Sequence, residues 1–383
     1  MSLLQVPPLT LYVHIPWCVR KCPYCDFNSH EAGNSLEEDA YIKALLQDLD
    51  QERASTGQRD LNSIFFGGGT PSLLSATALD NILSGIASRF SLTDDIEITL
   101  EANPGTFEQQ KFKDYHSAGI NRLSIGIQSF ANSKLKALGR IHDSNEAMRA
   151  IDTARHAGFD NLNLDLMFGL PGQTTAQAIA DLQTACRFEP EHLSHYQLTI
   201  EPNTYFHKHP PQLPDDDKRW HMQQACHQLL STHGYSQYEV SAFSKPGKES
   251  RHNLNYWQFG DYIGIGAGAH GKLTDQDNGQ INRCWKHRQP RAYMKHTTEG
   301  ESRSGTSTLD QSDILFEFLM NALRLKKGFD FDLFEQRTGL ERNELIKVCS
   351  KIDPELIDIG DQGLKTSKRG YDFLNEVLEK LVP

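Results

Sequence analysis

The chain has 383 residues, a net charge of -11 and a mean hydropathy of -0.54. That length exceeds what one small core organises, and a usual domain size of roughly 100–150 residues predicts two or three units. The negative balance argues against a nucleic-acid backbone or an anionic bilayer as main partner, since both require concentrated positive charge, and no apolar run reaches the roughly 18 residues of a membrane span. The opening MSLLQVPPLT has neither a basic stretch nor an apolar core of signal-peptide length. Seven cysteines, an odd number with three clustered, point to metal chemistry in a reducing compartment rather than to a disulfide framework. Both observations place the chain in the cytoplasm.

From residue 11 to about 200, short apolar runs alternate with longer amphipathic ones, the pattern of βα units around a parallel sheet. The strand candidates are LYVHI (11–15), SIFF (63–66), IEITLE (96–101), RLSIGIQ (122–128), NLNLDLMF (161–168) and HLSHYQLTI (192–200). Between them, apolar spacing predicts helices over 41–50, 76–90, 107–118 and 145–157, with Gly119 and Gly158 as left-handed caps. Six such units form either an open doubly wound sheet or an incomplete barrel. Both architectures place a site at the C-terminal ends of the strands.

Those ends carry the chemistry-bearing residues. The first strand runs into HIPWCVRKCPYCDF, where Cys18, Cys22 and Cys25 stand on one loop. Three thiolates at that spacing bind three irons of a [4Fe-4S] cluster and leave the fourth open to a small molecule. The alternative is zinc, with His14 or His30 as fourth ligand. It is disfavoured because structural zinc draws on two separated ligand pairs, whereas Cys186, Cys226, Cys284 and Cys349 are scattered singly. The second strand ends in Gly67-Gly68-Gly69-Thr70-Pro71, which lacks the Gly-Lys-Ser/Thr of a phosphate loop but lets a backbone approach an amino-acid head group closely. Glu101-Ala102-Asn103-Pro104 follows the third strand and Gln128-Ser129-Phe130, with Arg140 beyond, the fourth; Asp165 and then Gly169-Leu170-Pro171-Gly172 close the fifth. One cavity is expected to collect them all.

Past residue 200 the alternation stops. EPNTYFHKHPPQLPDDD (201–217) reads as a surface connection, followed by a helix over 217–233 and a strand in YSQYEVSAFSKP (235–246). RHNLNYW (251–257) packs a histidine, two aromatics and amides together ahead of the glycine-rich DYIGIGAGAHG. A histidine there suits an axial ligand to haem iron, with aromatics against the macrocycle, although such a residue is more often a hydrogen-bonded structural one. The last 75 or so residues read as helices over 310–325, 331–339 and 341–350, a hairpin at Gly360-Asp361-Gln362-Gly363 and a final helix, the order of a winged-helix-like domain. Acidic residues outnumber basic ones there by 15 to 11, which favours a lid or protein contact over DNA.

Taken together, the cysteine loop and the GGGTP and EANP turns resemble the radical S-adenosylmethionine (SAM) superfamily. LYVHIPWC, FFGGGTPS, IGIQSF with LGRIHD, and DLMFGLPGQT resemble the oxygen-independent coproporphyrinogen III oxidase group within it, over about residues 10–383. The resemblance implies an incomplete (β/α)6 barrel in which the open iron is chelated by the amino and carboxylate groups of SAM. Position by position, it makes Tyr12, Gly68, Gly69, Thr70, Glu101, Gln128, Arg140 and Asp165 the SAM contacts. Two departures count against coproporphyrinogen oxidation: Phe27 stands where those oxidases carry a further cysteine, and only about ten residues precede the first strand. HNxxYW resembles the haem-chaperone branch of the HemW type, which implicates His252, Asn253, Tyr256 and Trp257 in haem binding.

The resulting expectation is an α/β protein in three parts. Residues 1–205 form the partial barrel with cluster and SAM sites, 206–305 an extension carrying the haem motif, and 306–383 the winged-helix-like domain. It would bind haem as cargo and deliver it to client haem proteins, membrane-bound respiratory enzymes among them, with a homodimer as one option for its assembly. The alternative is the oxidase activity itself.

Overall fold

The structure, a computed structural model, describes residues 4–33, 36–105 and 108–382. Its centre is a twelve-stranded sheet: β1 Leu9–Ile15, β2 Leu61–Gly68, β3 Leu92–Ala102, β4 Arg122–Gln128, β5 Leu162–Phe168, β6 His192–Gln197, β7 Ser236–Glu239, β8 Ala242–Ser244, β9 Asp261–Ile265, β10 His270–Asp275, β11 Gln280–Lys286 and β12 Arg303–Thr308. The spatial order is β12-β11-β10-β9-β1-β2-β3-β4-β5-β6-β8-β7. Strands β1 to β6 are parallel neighbours in sequence order, so the sheet winds one way, whereas a doubly wound sheet reverses its order at a switch point. The incomplete-barrel expectation holds, and all six expected strands lie where the sequence put them.

The alternation along each strand decides what the sheet encloses. Leu123, Ile125 and Ile127 of β4 point outward into the main apolar core, beneath the helices. Arg122, Ser124, Gly126 and Gln128 of the same strand face a cavity on the concave side. Strands β1, β3 and β5 repeat the scheme with Tyr12 and His14, Glu101, and Asn163 and Asp165. The barrel interior is therefore polar and hollow rather than filled with branched side chains.

The helices Ala76–Ala87 and Ser144–His156 match expectation within a few residues, and Glu38–Thr56 runs longer than expected at both ends. The predicted start of the third helix, Phe107, lies outside the described residues, and Glu108–Ser117 accounts for the rest. Gly119 (φ 109°) and Gly158 (φ 101°) have the positive φ expected of caps.

Three segments differ from expectation. The glycine-rich DYIGI is β9, a seventh parallel strand paired with β1, with Tyr12 opposite Gly264. Gly264 is required there, because a Cβ would sit 2.0 Å from the His270 carbonyl oxygen. The stretch 235–246 is a tight antiparallel hairpin, β7–β8, rather than one strand. Within 201–217 lies a short helix, Tyr205–Lys208, whose Phe206 is buried against Leu138, Met167 and Leu170, with its amide on the Pro23 carbonyl at 2.9 Å. This connection thus braces the cysteine loop.

The C-terminal region has helices Gln311–Ala322, Phe331–Thr338 and Arg342–Cys349, a three-stranded antiparallel sheet of β13 Phe329–Asp330, β14 Ile357–Ile359 and β15 Gly363–Thr366, and, where one final helix was expected, two short ones, Lys368–Asp372 and Leu374–Glu379. The expected hairpin closes on Gly360 N–H donating to Gly363 O at 2.9 Å. Its core includes Phe318, Phe334 and Leu345 together with Leu4, Phe259 and Ile281 from outside the region, so it seals against the barrel. Among the described residues no helix is long and apolar enough to cross a membrane.

Candidate functional site

The concave face of the sheet encloses a cavity of about 1120 Å³, beyond the roughly 300–1,000 Å³ of a typical small-molecule site and so able to hold more than one ligand. At its C-terminal rim lies the cysteine loop, closed at its base by pairing of Trp17–Cys18 with His30–Glu31. Cys18, Cys22 and Cys25 are free and partly buried. Each sulfur has a polar neighbour: Thr70 Oγ1 donates to Cys18 at 3.6 Å, Arg140 Nη1 to Cys22 at 3.6 Å, and Ser29 Oγ lies 4.0 Å from Cys25. Burial raises the Cys18 and Cys25 thiols above their ordinary value. His14, considered as a fourth zinc ligand, has Nδ1 on Tyr12 Oη at 3.0 Å and Nε2 on the Asn28 carbonyl at 2.9 Å. Among the described residues no three histidine, cysteine or acidic side chains converge on a single-ion site. Three soft donors on one loop, spread rather than converged, fit an iron-sulfur cluster better than one ion.

Asn103, named with the EANP turn but given no role there, bridges the two thiol-holding groups. Its Nδ2 donates to Thr70 Oγ1 at 2.9 Å, and its Oδ1 accepts from Arg140 Nη2. A continuous path therefore runs from Cys18 through Thr70, Asn103 and Arg140 to Cys22, fixing two thiols relative to each other. Arg140 also donates to the Gly126 carbonyl at 2.9 Å, so its fork is largely engaged by protein groups.

The GGGT turn keeps only half of the hydrogen-bonding capacity its composition suggested. The amide of Gly69 donates to Ile15 O and that of Thr70 to Trp17 O, both at 2.7 Å, and Gly68 N–H donates to Glu101 Oε2 at 3.2 Å. Those donors are spent, leaving the turn to offer carbonyl oxygens, which suit an ammonium. Glycine is required for the approach: a Cβ on Gly69 would lie 2.4 Å from Trp17 O, and Gly68 adopts φ 112°. Glu101 and Asp165 face the same space. Burial, then the Asp165 charge, raises Glu101 to about 8; burial also raises Asp165, against hydrogen bonds from Asn163 and Ser124. Gln128 sits at φ 65° with its buried Oε1 unpartnered at the cavity wall. Two carboxyls, an unsatisfied amide oxygen and carbonyls next to three thiols suit a ligand that brings hydroxyl and ammonium donors.

Deeper in the barrel, helix Arg251–Trp257 closes the floor. Ser250 caps it, and Glu97 of β3 accepts from the amides of Arg251 (3.3 Å) and His252 (3.2 Å). His252 is 1% exposed, stacks on Phe65 at 5.0 Å, and has both nitrogens occupied: Nδ1 with Ser63 Oγ at 2.9 Å and Nε2 with Tyr256 Oη at 3.1 Å. Burial lowers it to about 3, so the imidazole is neutral at physiological pH. Asn253 and Tyr256 line the cavity beside it. Trp257 is not among the lining residues; its ring carries the Arg324 guanidinium at 4.3 Å and ties the motif to the C-terminal region. Phe27 stands 59% exposed at the rim.

The sequence profile of the radical SAM superfamily matches residues 12–185, and that of the HemN C-terminal domain residues 309–373. The chain is 49% identical to heme chaperone HemW of Escherichia coli, covering 98% of this chain and 99% of that one. The chain belongs to the HemW family. Heme chaperone HemW of Haemophilus influenzae is 48% identical, with 98% of both chains covered. The mitochondrial radical S-adenosyl methionine domain-containing protein 1 of Mus musculus is 34% identical over 97% of this chain and 87% of its own. The solved structure of coproporphyrinogen III oxidase from Escherichia coli superposes with a TM-score of 0.83 at 22% identity, covering 98% of this chain and 90% of that one, a likeness of fold. A [4Fe-4S] cluster and SAM are typical of the superfamily to which HemW proteins belong.

Proposed function

We propose that this chain binds haem and passes it to haem-dependent client proteins, respiratory enzymes among them, with a [4Fe-4S] cluster on Cys18, Cys22 and Cys25 and SAM beside it. The observation that carries the reading is near-full-length identity to proteins named heme chaperone, in a chain whose HNLNYW helix and cysteine loop wall one cavity. Cys18, Cys22 and Cys25 would hold the cluster, which when bound would offer reducing chemistry beside SAM. The protein's own groups do the rest: Thr70, Asn103 and Arg140 orient the thiols, Glu101 and Asp165 take hydroxyl donors of the ribose, and the turn carbonyls hold the ammonium.

For haem, His252 offers a neutral imidazole whose Nε2 is free to ligate once the Tyr256 hydroxyl releases it. Phe65, Tyr12 and Tyr262 supply aromatic surface in the same wall. A second reading, oxidative decarboxylation of coproporphyrinogen, draws on the same scaffold and is disfavoured by Phe27, which leaves the rim without a fourth thiol.

Anaerobic haem titration followed by optical spectroscopy tests the reading. Wild type should bind one haem saturably, His252→Ala should weaken binding about tenfold or more, and Tyr256→Phe, which unties Nε2 without opening a cavity, should bind at least as well as wild type. Coproporphyrinogen turnover on the same preparation, without saturable haem binding, would reverse the ranking. Unaltered binding in His252→Ala would assign His252 to the barrel floor rather than to iron.

A further inference from the structure

Arg122 opens β4 inside the barrel and is 2% exposed, yet it lines the cavity. A guanidinium has five donors in a fixed fork. Among the described residues this side chain makes one long hydrogen bond, from Nη1 to Thr99 Oγ1 at 3.4 Å, and its buried Nε has no hydrogen-bond partner. Its nearest carboxylate, Glu97, stands 3.9 Å away with its oxygens turned to the amides of Arg251 and His252. The charge is thus balanced while the fork is left unsaturated, a costly state for a buried cation unless a further acceptor arrives.

The neighbours narrow the acceptor's identity. Arg324 also lines the cavity with an unpartnered Nε, but its guanidinium is stacked on Trp257 and paired with Glu239 at 2.8 Å, and Arg140 is engaged at the rim. Arg122 and His252 share Glu97, so a ligand whose centre faces His252 would bring a peripheral anion to Arg122. We propose that Arg122 is a carboxylate-anchoring residue of this cavity and, resting on the haem reading above, that it takes a haem propionate. A planar two-oxygen acceptor matches the fork bidentately, and the anion would enter a site that already holds the compensating charge.

The test compares haem with its dimethyl ester, which keeps iron and macrocycle but has no free carboxylate, on the full chain. Wild type should bind haem about 10- to 100-fold more tightly than the ester, the range of one hydrogen-bonded charge. Arg122→Gln should erase that preference by weakening haem alone, while Arg122→Lys, which keeps the charge without the fork, should fall between. An unchanged preference in Arg122→Gln overturns the inference and leaves the haem reading intact; absence of saturable binding of either compound to wild type overturns both. Should the glutamine variant lose its fold by circular dichroism, wild type decides alone, and equal affinity for acid and ester refutes the anchor.

Discussion

Individual side chains here acquire roles from partners far away in sequence. Glu101 is an ordinary carboxylate in EANP, but burial and Asp165 lift it to about 8 in the folded chain. The folded state therefore holds that proton more tightly than the unfolded chain does, and the contribution to stability is complete below about pH 4.5 and lost as pH rises toward 8. Denaturant midpoints of the ligand-free protein should fall across that window, and Glu101→Gln should flatten the decline. A wild-type profile as flat as the variant's would show that Glu101 titrates normally. The residue scale is also where the sequence was least informative. The cysteines, Glu101 and Asp165 were legible because their chemistry is carried by residue type. The roles of Asn103, which the sequence placed in the cavity only as part of EANP, and of Arg122 were not, because an amide between two thiol-holding groups and an undersaturated guanidinium are defined by distances alone.

At the scale of elements, the six βα units were readable from periodicity because each has an apolar outer face and local boundaries. The seventh parallel strand was not. Asp261–Ile265 looks like loop in isolation, its glycine being explained only by the His270 backbone pressed against it. The HNLNYW segment was read for composition, and its helical state follows from Ser250, whose Oγ accepts from Asn253 N–H at 3.4 Å, and from Glu97 across the barrel. Ser250→Ala should cost about 1 kcal/mol in a denaturation experiment, the usual value of such a cap. It should also lower haem affinity, since it loosens the backbone that presents His252. A loss of stability with haem affinity unchanged would separate the cap from binding.

For the whole molecule, the join between barrel and C-terminal region is the decisive feature. Arg324 lies on Trp257 and pairs with Glu239, Trp220 stacks on Phe373 at 5.9 Å, and Phe259 meets Phe318 edge-on at 5.8 Å. The tryptophan of the motif thus reports on the C-terminal region rather than on the cavity. Arg324→Ala should raise amide exchange in residues 251–257 and in the C-terminal helices while β1 to β6 stay protected; equal protection in wild type and variant would show that the apolar contacts suffice.

What the sequence by itself determined are those properties fixed within a few residues of chain: the thiol spacing, the alternation that makes strands, the caps, and motifs specific enough to point to the family before any comparison. What only the tertiary structure decided is how groups on different strands and helices share space. It showed the GGGT amides spent on β1 and Glu101, His252 held at both nitrogens, Trp257 turned away from the cavity, and a guanidinium left with donors to spare. The division has one physical cause. Backbone preference and amphipathic pattern act locally, whereas hydrogen-bond satisfaction and charge balance in a hollow barrel depend on every strand that faces the same interior.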